Sequence, residues 1–160
     1  MGNKILDSGS RTEFKSGAVR DIQEGKGRCD LMPLEVIATL TSSDELKFIQ
    51  FFKESGDVDC LYAALHIFCK KHYENSFEKM IIEVSKHFEE GAKKYGENNW
   101  QKGIPVHSFI DSAIRHLLKF KSGWNDEPHD RAFVWNIMCA IWTMKNKPEL
   151  NDFTVRKDEK

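Results

Sequence analysis

The sequence predicts an all-α fold, a bundle of five to six helices preceded by an extended N-terminal arm. Three observations lead there. Apolar residues recur at helical spacing in successive stretches from Pro33 onward. The alternation expected of half-buried strands is essentially missing, and the stretches are separated by turn residues such as Ser55-Gly56, Gly96 and Gly123. At 160 residues, with 40% apolar and 31% charged residues, the chain suits one domain with a substantial core.

The elements follow in order. Residues 1–31 are polar and glycine-bearing and read as an arm with turns. Pro33 is tolerated in the first turn of a helix carrying Leu34, Val36, Ile37 and Leu40. Ser43 or Asp44 caps a second helix through Lys53, with Leu46, Phe48, Ile49, Phe51 and Phe52 as a broad stripe. A third, Val58 to His72, presents Leu61, Ala64, Leu65, Phe68 and Cys69 on one face. Ser76 opens a fourth, with Phe77, Met80, Ile81, Val84 and Phe88 inward, stopped near Gly96. Pro105 starts a fifth through Phe109, Ile110, Ala113, Leu117 and Phe120. The sixth runs from Glu127 to Lys145 through Phe133, Val134, Ile137, Ala140, Ile141 and Met144. The chain thus divides into the arm (1–31), a helical domain (32–147) in which 41–76 reads as an inserted helical pair, and a polar C-terminal tail (148–160).

Composition narrows the partners. Lys plus Arg number 24 against 25 acids, so no net charge points to nucleic acid or an anionic membrane. No apolar run approaches a membrane span, no signal peptide appears, and Leu6 stands where N-myristoylation wants Ser or Thr. The four scattered cysteines, Cys29, Cys60, Cys69 and Cys139, show no zinc spacing and fit reduced thiols of a cytoplasm, the last three as small core residues.

Polar clusters interrupt the apolar pattern. Glu83, His87 and Glu90 share a face of the fourth helix, with Glu89 beside them. Asp111, Arg115 and His116 sit among apolar residues of the fifth. Asp126, Glu127, His129 and Asp130 crowd the start of the sixth, with Asn136 further along. Taken singly, each acid reads as a solvated residue and Asp126 as an N-cap. Taken together, acids converging from separate helices call for a divalent cation, which also binds phosphates. The stretch SGAVRDIQEGKGRCDLMP (16–33) sets Arg20, Lys26 and Arg28 among glycines before any apolar run, the pattern of a loop ordered by an anion.

The strings HFEEGAKKYGENNWQKGIP (87–105), DSAIRHLL (111–118) and DEPHDRAFVWN (126–136), with GAVRDIQEGKGRCDLMP near the start, resemble a phage-borne family of dATP/dGTP diphosphohydrolases, relatives of the all-α MazG-like nucleotide pyrophosphatases. The matches cover residues 16–40 and 83–145. The ExxE spacing of MazG-like enzymes is not clean on the fourth helix, and Asp126, Glu127 and His129 carry the match better than Asp130.

The resemblance implies cleavage of purine deoxynucleoside triphosphates between the α and β phosphates, with release of pyrophosphate. It implies Glu89, Asp111 and Glu127 as catalytic residues, and Glu89, Asp111, Asp126, Glu127 and His129 as ligands of Mg²⁺, for which Mn²⁺ or Co²⁺ can substitute. Substrate falls to Arg20, Lys26, Arg28, Asp30, Lys94, Tyr95, Asn99, Trp100, Arg115, His116 and Asn136. Lys94, Arg115, Lys26 and Arg28 would take phosphate oxygens. Trp100 would stack on the base and Asn99 or Asn136 offer it an amide, whereas Trp135 reads as core packing. The arm would close over nucleotide. The resemblance further implies a homo-oligomer, dimer or tetramer, in the host cytoplasm, serving phage purine metabolism such as the supply of dGMP for 2-aminoadenine DNA. Two alternatives stay open: a pyrophosphatase for another nucleotide such as dUTP or dCTP, and a non-catalytic nucleotide-binding or interaction protein.

Overall fold

Nearly every break expected from the sequence becomes a helix boundary in the computed structural model, which describes residues 4–153. Six helices follow the arm: α1 (Leu34–Thr41), α2 (Asp44–Ser55), α3 (Val58–His72), α4 (Phe77–Tyr95), α5 (Val106–Lys121) and α6 (His129–Asn146). The all-α expectation holds. Ser43, not Asp44, caps α2, its hydroxyl accepting from the Leu46 amide at 3.2 Å. Ser76 caps α4 in the same way through Lys79. The sixth helix starts two residues later than expected, because Pro128 at φ −77°, ψ 80° is not helical.

The arm holds a strand pair that the sequence pattern does not announce. β1 (Arg11–Glu13) and β2 (Val19–Asp21) are antiparallel with Thr12 opposite Arg20. Three-residue strands are too short to show alternation, which is why the pattern is silent there. The connecting turn ends at Gly17, whose φ of +89° lies in the left-handed region.

α6 is the central element. It packs on α5, α4 and α3, and Phe68 of α3 meets Phe133 of α6 with ring centroids 4.7 Å apart. The 41–76 pair therefore contributes to the common core, with Phe52 and Phe68 fully buried. All the inward positions expected on α3 are buried, whereas Phe51 and Ile81, expected inward, are about half exposed. Cys69 and Cys139 are buried, Cys60 only in part, and all four cysteines are free.

Of the segment 148–160, residues 154–160 lie outside the described residues, as do residues 1–3 at the other end. The described part is not loose. Phe153 is buried against the ring of Phe52, and Asp152 receives both the backbone amide and the ring Nδ1 of His107. Among the described residues no helix is long and apolar enough to cross a membrane.

Candidate functional site

The loop between α5 and α6 brings two imidazoles and two carboxylates together. His116, in the last half of α5, and His129, the first residue of α6, approach with their Nδ1 atoms 2.9 Å apart. Glu127 Oε1 lies 3.4 Å from His116 Nδ1 and 3.8 Å from His129 Nδ1. One donor atom from each of these three residues falls within 4.8 Å of the others. Asp126 Oδ1 accepts from His129 Nε2 at 2.7 Å, and this bond holds the Asp126 carboxyl below its ordinary value. Burial, reinforced by the neighbouring His129, pushes His116 well below the usual imidazole range, so it is neutral. A carboxylate on the far nitrogen of His129 turns the near nitrogen inward, the usual second support of a metal-binding histidine. The donor set therefore fits a divalent cation.

The cluster borders a cavity of about 660 Å³ lined by the arm, α4, α5 and α6. His116 and Glu127 line it, together with Lys26 of the arm and Lys119 of α5. Residues 5 and 6 close over this end. The Leu6 amide donates to Glu127 Oε2 at 3.1 Å, and Lys94 donates to the Leu6 carbonyl at 2.8 Å.

Another wall of the same cavity is built around Arg20, delivered by β2. Its Nη2 donates to Ser112 Oγ at 3.1 Å and to Asn136 Oδ1 at 3.0 Å. Its guanidinium stands 5.3 Å from the Phe109 ring centre and 5.8 Å from that of Trp135. Beside it, His87 is held down to about 3, first by burial and then by the charges of Arg131, Arg20 and Lys94. Three buried nitrogens of this wall, Arg20 Nη1, His87 Nδ1 and Trp135 Nε1, have no hydrogen-bond partner among the described residues. Each such group costs about 1–3 kcal/mol, so three side by side need a reason.

The remaining expected residues are placed as follows. Tyr95, Asn99, Trp100, Arg115 and Asn136 line the cavity. Glu89 does not join them: it is exposed and paired with Lys93 at 3.3 Å, because α4 turns its neighbour Glu90 inward to Arg131. Asp111 is buried but engaged elsewhere, accepting from the Cys29 amide and from Arg115, each at 2.6 Å. Arg28 spends its fork on the buried Asp30 through two bonds of 2.8 Å, and neither residue lines the cavity. The glycine loop is ordered from within, its Lys26 and Gly27 carbonyls accepting from Arg115 at 3.3 and 2.8 Å. Asn99 spends its amide on the arm, accepting from Val19 N at 2.9 Å and donating to Val19 O at 2.7 Å. Trp100 packs edge-on against Phe88 and Trp142. Sequence reasoning missed Ser112 and Lys119; Trp135, expected as core packing, does pack against the core beside Phe88 and Phe109 and also lines the cavity. Arg20 and Asn136 of that cavity wall were expected, and His87, one turn from Glu83 and Glu90, was a further advance signal of it.

Comparison with known proteins decides the family. The profile of the family described as dATP/dGTP diphosphohydrolase, N-terminal, matches residues 65–153, more than half of the chain. The chain belongs to that family. The matched span runs from the middle of α3 to Phe153, so it takes in the His116–Glu127–His129 cluster and leaves out the arm. A dATP/dGTP diphosphohydrolase of Salmonella phage PMBT28 is 31% identical over 75 residues, covering 44% of this chain. The match spans 26% of that relative's length, about a quarter of it. No solved structure matches.

Proposed function

We propose that this chain is a metal-dependent nucleotide pyrophosphatase that hydrolyses dATP or dGTP to the monophosphate and pyrophosphate. The observation that carries the reading is the His116–Glu127–His129 cluster on the border of a cavity of about 660 Å³, a size that suits a nucleotide, in a chain of this family. The cation would be held by the two imidazoles and the Glu127 carboxylate. When bound it supplies Lewis-acid charge to a phosphate oxygen. Mg²⁺ prefers oxygen ligands and imidazole suits later divalent metals, so the set favours Mn²⁺ or Co²⁺ over Mg²⁺.

The chain's own residues supply the rest. Asp126 fixes the His129 ring, and Lys26 and Lys119 offer point charges to the phosphate oxygens. The arm, docked through Asn99, forms one side of the cavity. A homo-oligomer, dimer or tetramer, acting in the host cytoplasm on phage purine deoxynucleotides belongs to the same proposal. Ile81 and Ile82, exposed side by side on α4, are apolar surface that a second copy would cover.

The test is product analysis. Purified protein is incubated with each dNTP and Mn²⁺ or Mg²⁺, and the products are separated. Monophosphate with pyrophosphate supports the reading; release of triphosphate refutes it. Nucleotide binding without turnover selects the non-catalytic alternative.

A further inference from the structure

We infer that the backbone of Ile5 and Leu6 is a clasp that fixes the Glu127 carboxylate for a divalent cation, so that cation binding and docking of the N-terminal segment strengthen each other. The inference rests on the metal reading above and adds to it residues outside the span matched by the family. Two successive amides reach carboxylates on different elements. Ile5 N donates to Glu90 Oε2 of α4 at 2.9 Å, and Leu6 N donates to Glu127 Oε2, in the loop before α6, at 3.1 Å. The Leu6 carbonyl accepts from Lys94 of α4 at 2.8 Å. Three backbone groups of two residues thus meet charged side chains of the bundle, the stronger kind of hydrogen bond.

Apolar packing does not explain this docking, because the Leu6 side chain is exposed. What holds residue 6 is its backbone. The next residues tie the clasp to the arm: Asp7 Oδ1 accepts from Arg11 at 2.7 Å, and Ser8 Oγ donates to Asp21 Oδ1 at 2.6 Å. Lys94 does not line the cavity; its ammonium holds the clasp. Glu127 divides its two oxygens between the partners. Oε1 turns to the Nδ1 atoms of His116 and His129, and Oε2 turns to the Leu6 amide. A carboxylate whose second oxygen is hydrogen-bonded meets a cation already oriented, and losing such a partner weakens binding by about 10–100-fold. Linkage makes the effect mutual: a cation that binds more tightly with the clasp docked holds the clasp down by the same factor.

The experiment uses the full chain with Mn²⁺ alone. Electron paramagnetic resonance gives the Mn²⁺ affinity of wild type, Leu6→Pro and Leu6→Ala, with melting temperatures recorded. Leu6→Pro removes the amide proton and should weaken Mn²⁺ by about 10–100-fold at an unchanged melting temperature. Leu6→Ala trims an exposed side chain, keeps the amide and should stay within about twofold of wild type. Wild type alone tests the reverse direction. Lys4 is exposed and directly precedes the clasp, so tryptic cleavage after Lys4, followed by mass spectrometry, reports how often the clasp lifts. Saturating Mn²⁺ should slow that cut by about the same factor in wild type and leave it nearly unchanged in Leu6→Pro. Equal Mn²⁺ affinity in Leu6→Pro and wild type overturns the clasp. So does cutting after Lys4 that Mn²⁺ leaves unchanged or quickens, the latter showing that the segment competes with the cation. The metal reading fails in a different way: a wild type that binds no Mn²⁺ removes the site, and the clasp with it.

Discussion

Arg115 and Asp111, one turn apart on α5, form a buried ion pair at 2.6 Å, and the other bonds of both side chains run to the arm. Asp111 takes the Cys29 amide while Arg115 holds the carbonyls of Lys26 and Gly27. The pair thus fastens the glycine loop to the bundle. Removing one member leaves the other charge buried without its counterion, which costs about 3–5 kcal/mol. Asp111→Ala should therefore lower stability by about 3 kcal/mol in urea unfolding, and Arg115→Met combined with it should restore part of that loss. A double variant no better than the single would show that the two residues act independently.

Docking of the arm gives a second expectation. Asn99 supplies two hydrogen bonds to the Val19 backbone, and Gly103 lies under Ser16 with φ +131°. An added Cβ at Gly103 would stand 3.1 Å from Ser16 Cβ and 3.3 Å from Leu150 Cδ1. Asn99→Ala should cost about 2 kcal/mol, and Gly103→Ala should lift the same part of the arm. Limited trypsin digestion reads the effect: cleavage at Lys15 and Arg20 should quicken in both variants while the helices stay protected. Unchanged cutting would mean that the arm is held by its strand pair alone.

These two contacts also show where the sequence was legible. Helix boundaries were, because Ser43, Ser76, Gly56 and Gly96 act locally through caps and left-handed turns. The acid-and-histidine string around Glu127 and His129 was as well, since its members lie within a few residues of one another. Side-chain choices across elements were not. Asp111 is bonded to the Cys29 amide and Arg115 rather than facing the cavity, and Asn99 lines the cavity while also holding the Val19 backbone. Glu89 and Glu90 differ by about 100° of helical rotation, and no local signal says which one faces inward. The pairing of His116 with His129 depends on the loop that folds α6 back on α5.

The metal site yields a third expectation. His116→Ala, Glu127→Gln and His129→Ala should each abolish tight Mn²⁺ binding measured by electron paramagnetic resonance, and chelator should abolish turnover. Asp126→Asn frees His129 rather than removing a ligand, and should weaken Mn²⁺ by about 10–100-fold. Glu89→Gln, an exposed change, should leave Mn²⁺ affinity within about twofold. Loss of Mn²⁺ in the Glu89 variant with retention in the Glu127 variant would move the site to α4.

The fourth expectation concerns acid. His87 titrates near 3 in the folded chain, against an ordinary 6.5. Between those values the unfolded chain holds a proton that the folded chain does not. Acidification in that window therefore favours unfolding, and above it the group contributes no slope. The slope from one such proton is about 1.4 kcal/mol per pH unit, so several kcal/mol are lost on acidification across the window. His72 and His116 are pushed down as well, so wild type should lose stability faster than one proton allows. His87→Gln retains a polar side chain of similar length but does not titrate. Urea-unfolding free energies of wild type and His87→Gln, measured at steps between about pH 4 and about pH 7, should diverge steadily as pH rises, with the variant curve shallower by about one proton. Parallel curves would mean that His87 opens to solvent and charges in the folded chain, and the wall beside Arg20 would then be hydrated rather than closed.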